Sequence, residues 1–151
     1  MTVRVAGPRD AAELVRLINA AFRPAEEFFI EGDRIDLEHL HGYLEHGVFL
    51  VDAEMAGCVY VELRGERAYL GLLSVDPARQ RGGLGKRLIA SAEDYARQHG
   101  CRYMDIRVVN LRTELPAFYR KLGYVETGTE PFTAGVPTKL HCHFLAMEKR
   151  L

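Results

Sequence analysis

One segment restricts the fold more than any other: a short apolar strand runs into a basic, glycine-rich loop and then into a long amphipathic helix. The strand stops at Pro77, and the loop from 79 to 87 carries four basic residues and no acidic one. Glycines 82, 83 and 85 open the helix predicted for 83–99. Glycine backbone lets N–H groups approach an anion, and the helix N-terminus carries partial positive charge. The segment therefore predicts a pyrophosphate site at the start of this helix.

Two common nucleotide-binding motifs do not fit this loop. Walker A requires a hydroxyl residue after its lysine, but Arg87 follows Lys86, and Gln80 stands where the first glycine belongs. The Rossmann fingerprint fails because Leu88 replaces its third glycine. The alternative is a glycine-rich turn with a solvated basic helix start, although basic residues at that end oppose the helix dipole.

The rest of the chain predicts the element order β-α-α-β-β-β-α-β-α-β-β, a mixed α/β (α+β) sheet with helices on both faces. The first helix is expected to end near Pro24, and Asp36 is expected to cap the second. The predicted strands are 3–5, 47–51, 55–63, 68–75, 103–109, 123–126 and 140–149, and a short helix is predicted at 115–122.

Composition narrows the class of protein. The 151 residues are 48% hydrophobic and 27% charged, as expected for a single domain spanning 1–151. The net charge of −1 argues against a nucleic-acid-binding protein, and no apolar run is long enough to cross a membrane. The three cysteines are distant from one another and form no C-x-x-C pair, which favours a reducing cytoplasm. Cys58 and Cys142 are predicted to be buried, and the 141–143 His-Cys-His segment has no evident third ligand, so no metal is predicted.

Two motifs resemble those of one enzyme family. The run Gln80-Arg81-Gly82-Gly83-Leu84-Gly85 fits Q/R-x-x-G-x-G/A, and L-x-V-x-P precedes it at 73–77. About 30 residues later, 115–124 resembles the segment F-Y-x-K-x-G-F/Y, with Asn110 ahead of it. Together they resemble the GNAT (Gcn5-related N-acetyltransferase) superfamily. The sequence departs from the family pattern in two places. Members often have glycine at the second position of the loop signature and a basic residue at the third, whereas here Arg81 precedes Gly82. The spacing from Asn110 to Tyr119 is also one residue longer than usual.

The resemblance implies a GNAT-like acyl-CoA N-acyltransferase fold with splayed central strands, in which acetyl-CoA lies in the opening beside a bulged strand. The acyl donor is expected to contact this strand, the loop and the downstream segment, and no metal is implied. The residues so implicated are Leu73, Val75, Gln80, Arg81, Gly82, Gly83, Leu84, Gly85, Lys86, Asn110 and Tyr119.

The resemblance also suggests catalytic residues. Tyr119 is the candidate acid, because a tyrosine hydroxyl can donate a proton to a departing thiolate; the alternative is an aromatic packed beneath the sheet. Many relatives have a glutamate on the strand before the loop, but 68–73 contains no acid. Glu62 on the preceding strand is the expected base, acting through a water, and Asp105 is the other candidate for this role. The alternative for Glu62 is a solvated residue with no catalytic role.

The acceptor is expected to enter between the 24–36 connection and the late 127–139 loop. Glu26, Glu27, Phe28 and Phe29 are the expected substrate-binding residues, and an acidic, aromatic mouth favours a cationic amine. The predicted function is direct acetyl transfer in a ternary complex to a primary amine of a small molecule or peptide. The alternative is a non-catalytic acyl-CoA-sensing module, which the missing strand glutamate favours. We expect a cytoplasmic enzyme with no nucleic-acid or membrane partner, and the resemblance implies a possible homodimer.

Overall fold

The computed structural model describes residues 2–151 without the side chain of Arg81. Over this range the predicted element order is confirmed. The strands are β1 (Val3–Val5), β2 (Val48–Asp52), β3 (Gly57–Arg64), β4 (Arg67–Val75), β5 (Tyr103–Val109), β6 (Val125–Pro131) and β7 (His143–Arg150). The helices are α1 (Ala11–Glu26), α2 (Leu37–His46), α3 (Leu84–Gln98) and α4 (Leu115–Lys121), with short 3-10 turns at Pro8–Asp10 and Pro77–Gly82.

The described strands form one mixed sheet in the order β1-β2-β3-β4-β5-β7-β6, in which β4 and β5 are parallel and the other neighbours are antiparallel. Helix α3 packs on one face, where Leu88 and Ile89 meet Val59 and Ile106. Helices α1 and α2 cover the other face, where leucines 14, 17 and 40 join the strand cluster. Helices therefore cover both faces, as their apolar spacing predicts.

The centre of the sheet opens at β4. This strand pairs with β5 only from Arg67 to Tyr69, and past that point the two separate. Opposite β3, strand β4 contains one extra residue, and Leu72 there has a φ of 49°. Because of this bulge, Leu70 packs on the α3 side, whereas Leu72, two residues later, packs on the α1 side. The splayed strands and the bulge match the fold that the motifs implied.

Two predicted boundaries differ from the structure. Helix α1 continues through Pro24 to Glu26, because a proline removes only its own helical hydrogen bond, and the helix still ends with the bond from the Glu27 N–H to the Arg23 carbonyl (3.0 Å). The 127–139 loop is shorter than expected, because β7 offers a pairing partner and β6 extends to Pro131. The predicted cap of α2 is confirmed, since the Asp36 carboxylate accepts a hydrogen bond from the His39 N–H at 2.8 Å.

The cysteines Cys58, Cys101 and Cys142 are all buried and reduced. In the described part of the chain, no group of three or more His, Cys, Asp or Glu side chains is placed to hold a metal ion. None of the helices described is both long and apolar enough to cross a bilayer.

Candidate active site

The separation of β4 from β5 creates a cleft of about 600 Å³ through the middle of the sheet. Residues 70–73 and Val75 of β4 form one wall, and 106–109 of β5 form the other. Helix α4 and the start of α3 line the cleft on one face of the sheet. Residues of α1 and α2, with Arg34 between them, line it on the other face. The cleft therefore connects the two faces through the splayed strands.

The first turn of α3 lies at this cleft, and its backbone N–H groups have no acceptor within the helix. Its N-cap is Gly83, at a φ of 73°, and no side chain caps the helix. The helical hydrogen bonds begin with the Arg87 N–H, which donates to the Gly83 carbonyl at 3.2 Å. The N–H groups of residues 84–86 therefore have no acceptor within the helix. Gly85 and Lys86 line the cleft, so this end of the helix can bind an anion.

The structure brings most of the loop residues singled out in the sequence to the cleft wall: Leu73, Val75, Gln80, Gly83, Gly85 and Lys86. The Gln80 amide donates to the Val75 carbonyl at 3.2 Å and thereby ties the loop to its strand. Leu84 is buried against the core, so only its backbone can face an anion. Gly82 lies beside the cleft with open space at its Cα, and the side chain of Arg81 lies outside the described residues.

Asn110 does not line the cleft. Its side-chain oxygen accepts a hydrogen bond from the His143 N–H at 2.9 Å, and its own N–H donates to the His143 carbonyl at 2.9 Å. These bonds continue the pairing of β5 with β7 by one residue. In the structure, Asn110 therefore holds the end of β5 against β7, and its expected contact with the acyl donor stays a prediction.

Tyr119 lies on α4 against the cleft. Its ring packs edge-on against Phe118 and Tyr124, with centroids 5.1 and 5.6 Å apart. Burial raises the pKa of Tyr119 to about 12, so the phenol stays protonated at neutral pH. Its hydroxyl forms no hydrogen bond with any other residue whose side chain is described, so its proton remains available on the cleft side.

The two carboxylates expected as candidate bases, Glu62 and Asp105, both lie outside the cleft lining and are bound by other side chains. Glu62 lies outside the cleft lining and accepts hydrogen bonds from the Tyr60 hydroxyl (2.8 Å) and the Arg64 Nε (2.5 Å). Partial burial alone raises the pKa of Glu62, but the bonds from Arg64 and Tyr60 outweigh it and hold that pKa below its usual value. Asp105 also lies outside the lining and is held by Arg67 through two hydrogen bonds, of 2.8 and 2.6 Å.

Of the four residues expected to bind the acceptor, only Glu26 lines the cleft. Phe29 is fully buried in a separate core cluster, whereas Phe28 and Glu27 are exposed outside the cleft. Glu26 itself is 4% exposed and accepts a hydrogen bond from Arg112 at 2.7 Å, while burial raises its pKa. The structure therefore brings one of the four residues to the cleft, and the other three separate from it at the end of α1.

The two connections expected to flank the acceptor do meet. Ile30 and Thr138 form an isolated antiparallel bridge, and the Lys139 N–H donates to the Phe29 carbonyl at 2.7 Å. The Glu31 N–H donates to the Pro137 carbonyl at 3.0 Å. This contact fixes the late loop beside the end of α1, where Glu26 enters the cleft.

Sequence reasoning did not single out several polar residues of the lining, among them Arg34, Tyr69, Arg107 and Arg112. The Tyr69 ring lies directly over Gly71, where an added Cβ would stand 2.8 Å from ring carbon Cε2. A glycine two residues after a strand tyrosine was the available signal for this arrangement. The pairing of Arg112 with Glu26 spans 86 residues and left no local signal.

Comparisons with known proteins agree with this architecture. The model of the Acetyltransferase (GNAT) family matches residues 11–124. A blasticidin-S acetyltransferase from Streptomyces morookaense is 32% identical over 96 residues, which cover 63% of this chain and 67% of the relative. The ribosomal-protein-alanine N-acetyltransferase from Brucella melitensis superposes with a TM-score of 0.78 at 22% identity, covering 100% of both chains. An acetyltransferase structure from Salmonella typhimurium, with its cofactor acetyl-CoA, superposes with a TM-score of 0.74 at 21% identity, over 99% of this chain and 93% of that one.

Proposed function

The chain belongs to the GNAT acetyltransferase family, and from this premise we propose that it transfers an acetyl group from acetyl-CoA directly to a primary amine. The observation that carries the proposal is the through-sheet cleft between β4 and β5, which ends at the uncapped N-terminus of α3. Relatives are named for blasticidin S and for ribosomal-protein alanine. We accordingly take the acceptor to be the amine of a small molecule or a peptide.

The residues present fit acetyl-CoA. The N–H groups of residues 84–86, which have no acceptor within the helix, suit a pyrophosphate, and Lys86 adds a positive charge. Past Tyr69, strand β4 has no partner on the β5 side, so its backbone can pair with the amides of an extended ligand, as an added strand does. The cleft volume suits an elongated ligand arm.

Tyr119 acts as the acid in this proposal. Bound acetyl-CoA supplies a thioester, whose C–S bond breaks as the amine nitrogen bonds to the acetyl carbon. Burial keeps the Tyr119 hydroxyl protonated at neutral pH, so it can donate its proton to the departing sulfur. The proton that the amine nitrogen loses as the amide forms returns to the Tyr119 oxygen, so that thiol and amide are released and the phenol is restored. The backbone groups of β4 hold the reacting bond against Tyr119 and thereby lower the entropic cost of the encounter.

The cleft takes the amine in its neutral form. Each carboxylate described along the lining is held by an arginine: Glu26 and Glu114 both accept hydrogen bonds from Arg112, at 2.7 and 2.9 Å. Glu62 and Asp105, outside the lining, are bound by arginines as well. Without a free carboxylate base, kcat/KM should rise with pH up to the pKa of the amine. An unchanged kcat/KM, within about twofold, is expected for Glu62→Gln.

The test is Tyr119→Phe, which removes only the hydroxyl. The variant should bind acetyl-CoA with unchanged Kd, because the ring remains, but kcat should fall about 10²–10³-fold. Tyr95→Phe on α3 is the matched control, because its ring stacks on His99 and does not line the cleft. Equal turnover of Tyr119→Phe and the wild-type protein would remove Tyr119 from the mechanism. A loss of acetyl-CoA binding would point to a structural role instead.

A further inference from the structure

The α1 face of the cleft contains two arginines, Arg34 and Arg107, which we call the arginine pair. Both line the cleft together with Phe22, Tyr43 and Tyr69, and these three aromatic rings pack against the core beneath α1 and α2. The uncapped end of α3 and Tyr119 lie on the opposite face. The arginine pair is therefore on the side from which an acceptor would meet a thioester threaded between the strands.

Arg107 lies between two aromatic rings, and its one described ion pair is long, 3.8 Å from the Glu130 carboxylate. Its side chain is 26% exposed, and its guanidinium carbon lies 4.6 Å from the Phe144 ring centroid and 5.1 Å from that of Tyr69. Its described hydrogen bonds go to the hydroxyls of Tyr69 (3.4 Å) and Thr133 (3.2 Å), and the Glu130 carboxylate stays 3.8 Å away. A half-buried guanidinium cannot lose its proton, so an anion from outside would be strongly favoured here.

Arg34 adds a second guanidinium. It lies 5.7 Å from the Phe22 ring centroid and makes no hydrogen bond or ion pair with a residue whose side chain is described. Arg112, the third arginine of the lining, is neutralised by Glu26 and Glu114. A cationic substituent would therefore find both lining carboxylates already bound, whereas an anionic one would find the arginine pair.

We propose that the acceptor is an amine that also carries an anionic group, a carboxylate or a phosphoryl group, and that the arginine pair binds this group. The planar guanidinium presents several donors in a fixed fork, which matches the oxygens of both groups. This binding site rests on the proposed function, because it positions the amino group of the same acceptor. It replaces the cationic amine that the loop composition had suggested.

Matched acceptors test this substrate class. The twenty common amino acids are compared with their carboxamides, and 2-aminoethylphosphonate with ethanolamine, by the release of CoA thiol at saturating acetyl-CoA. Because an anionic group raises the pKa of a neighbouring amine, each kcat/KM is expressed per concentration of neutral amine, and all rates are compared on this basis. At least one anionic acceptor should then show a kcat/KM about tenfold or more above its neutral partner. Preference within the carboxylate pairs or within the phosphonate pair tells which anion the site takes. Equal rates, or a preference for neutral partners, overturn the anion site but leave acetyl transfer intact.

Variants connect the preference to the arginines. Arg34→Gln and Arg107→Gln should each raise the KM of the preferred anionic acceptor about tenfold or more, leaving its neutral partner and acetyl-CoA unaffected. Arg16→Gln, on an outer position of α1 with a side chain 70% exposed, is the control. Because Arg107 also packs between two rings, the melting temperature of Arg107→Gln is measured together with its kinetics, to show whether the variant is folded. Arg34→Gln tests the anion site even if Arg107→Gln does not fold. A KM change equal for both members of a pair contradicts the assignment.

A binding measurement distinguishes failure of this site from failure of the proposed function. N-acetyl amino acids, N-acetyl-2-aminoethylphosphonate and the corresponding neutral amides are titrated calorimetrically into the protein with CoA present, using wild type and Arg34→Gln. Tighter binding of the anionic ligands than of the neutral ones, weakened by Arg34→Gln, supports the anion site. If such binding is found but no amine is acetylated, the proposed function fails and the anion site stands. No difference between anionic and neutral ligands overturns the site.

Discussion

Gly85 offers a substitution that separates binding from folding, because it occupies the second position of α3 and also lines the cleft. An added Cβ would lie 3.7 Å from the Val75 Cγ2 and 3.9 Å from the Leu73 Cδ2, both ordinary contacts. Gly85→Glu should stabilise the fold by about 0.5–1.5 kcal/mol, because glycine is a poor helix former and a carboxylate suits a helix N-terminus. The melting temperature should therefore rise by a few degrees.

The same carboxylate would repel a pyrophosphate at the start of α3. At about 7 Å and an effective dielectric constant near 20, Coulomb repulsion is about 2 kcal/mol per charge pair, or at least a 30-fold loss of affinity. Gly85→Gln is the matched control, with nearly the same shape and no charge, and it should bind acetyl-CoA much more tightly than Gly85→Glu. Calorimetry at two salt concentrations measures both, and the difference should shrink at high salt. Equal affinities of the two variants would refute the assignment of the pyrophosphate to this helix end.

Three further outcomes follow from described contacts. Gly71→Ala places a Cβ 2.8 Å from the Tyr69 ring, so the KM of the acceptor should rise severalfold while the Kd for acetyl-CoA stays constant. The control is Gly42→Ala, in open space on α2, which should leave both constants unchanged and stabilise the fold by up to about 1 kcal/mol. Burial raises the pKa of Tyr119 to about 12, so the folded state keeps this proton longer than the unfolded chain; stability should fall from about pH 10 to pH 12, and less steeply in Tyr119→Phe, as followed by urea titration. Glu93→Ala deprives Tyr124 (2.8 Å) and Lys149 (3.0 Å) of a buried partner and should cost about 3 kcal/mol in urea unfolding, whereas loss of the exposed neighbour in Asp94→Ala should cost no more than about 0.5 kcal/mol.

The sequence predicted well those features that depend on neighbours along the chain. The apolar spacing of Leu84, Leu88 and Ile89 identified α3 and its buried face, and Asp36 marked the start of α2. The opening between β4 and β5 could be expected only through the family resemblance. The bulge residue with positive φ is Leu72, and a leucine does not indicate such a conformation as a glycine would. The end of α1 was predicted too early, at Pro24, because a proline in the last turn of a helix removes one hydrogen bond without ending the helix.

The candidate site was less predictable because it is assembled across the fold. The acidic residues of the 24–36 connection predicted a cationic acceptor. Arg112, which is 86 residues from Glu26 in the sequence, forms an ion pair with that carboxylate. Glu62 was expected to act as a base, yet Arg64 and Tyr60 bind its carboxylate. Such pairings depend on tertiary contacts, and residue types within one segment do not reveal them.

The most direct test of the central claim is a crystal structure of the protein with acetyl-CoA. We predict that the ligand passes between the separated ends of β4 and β5, with its pyrophosphate hydrogen-bonded to the N–H groups of residues 84–86 and its sulfur facing the Tyr119 hydroxyl. Acetyl-CoA bound elsewhere, or with its sulfur turned away from Tyr119, would contradict the account.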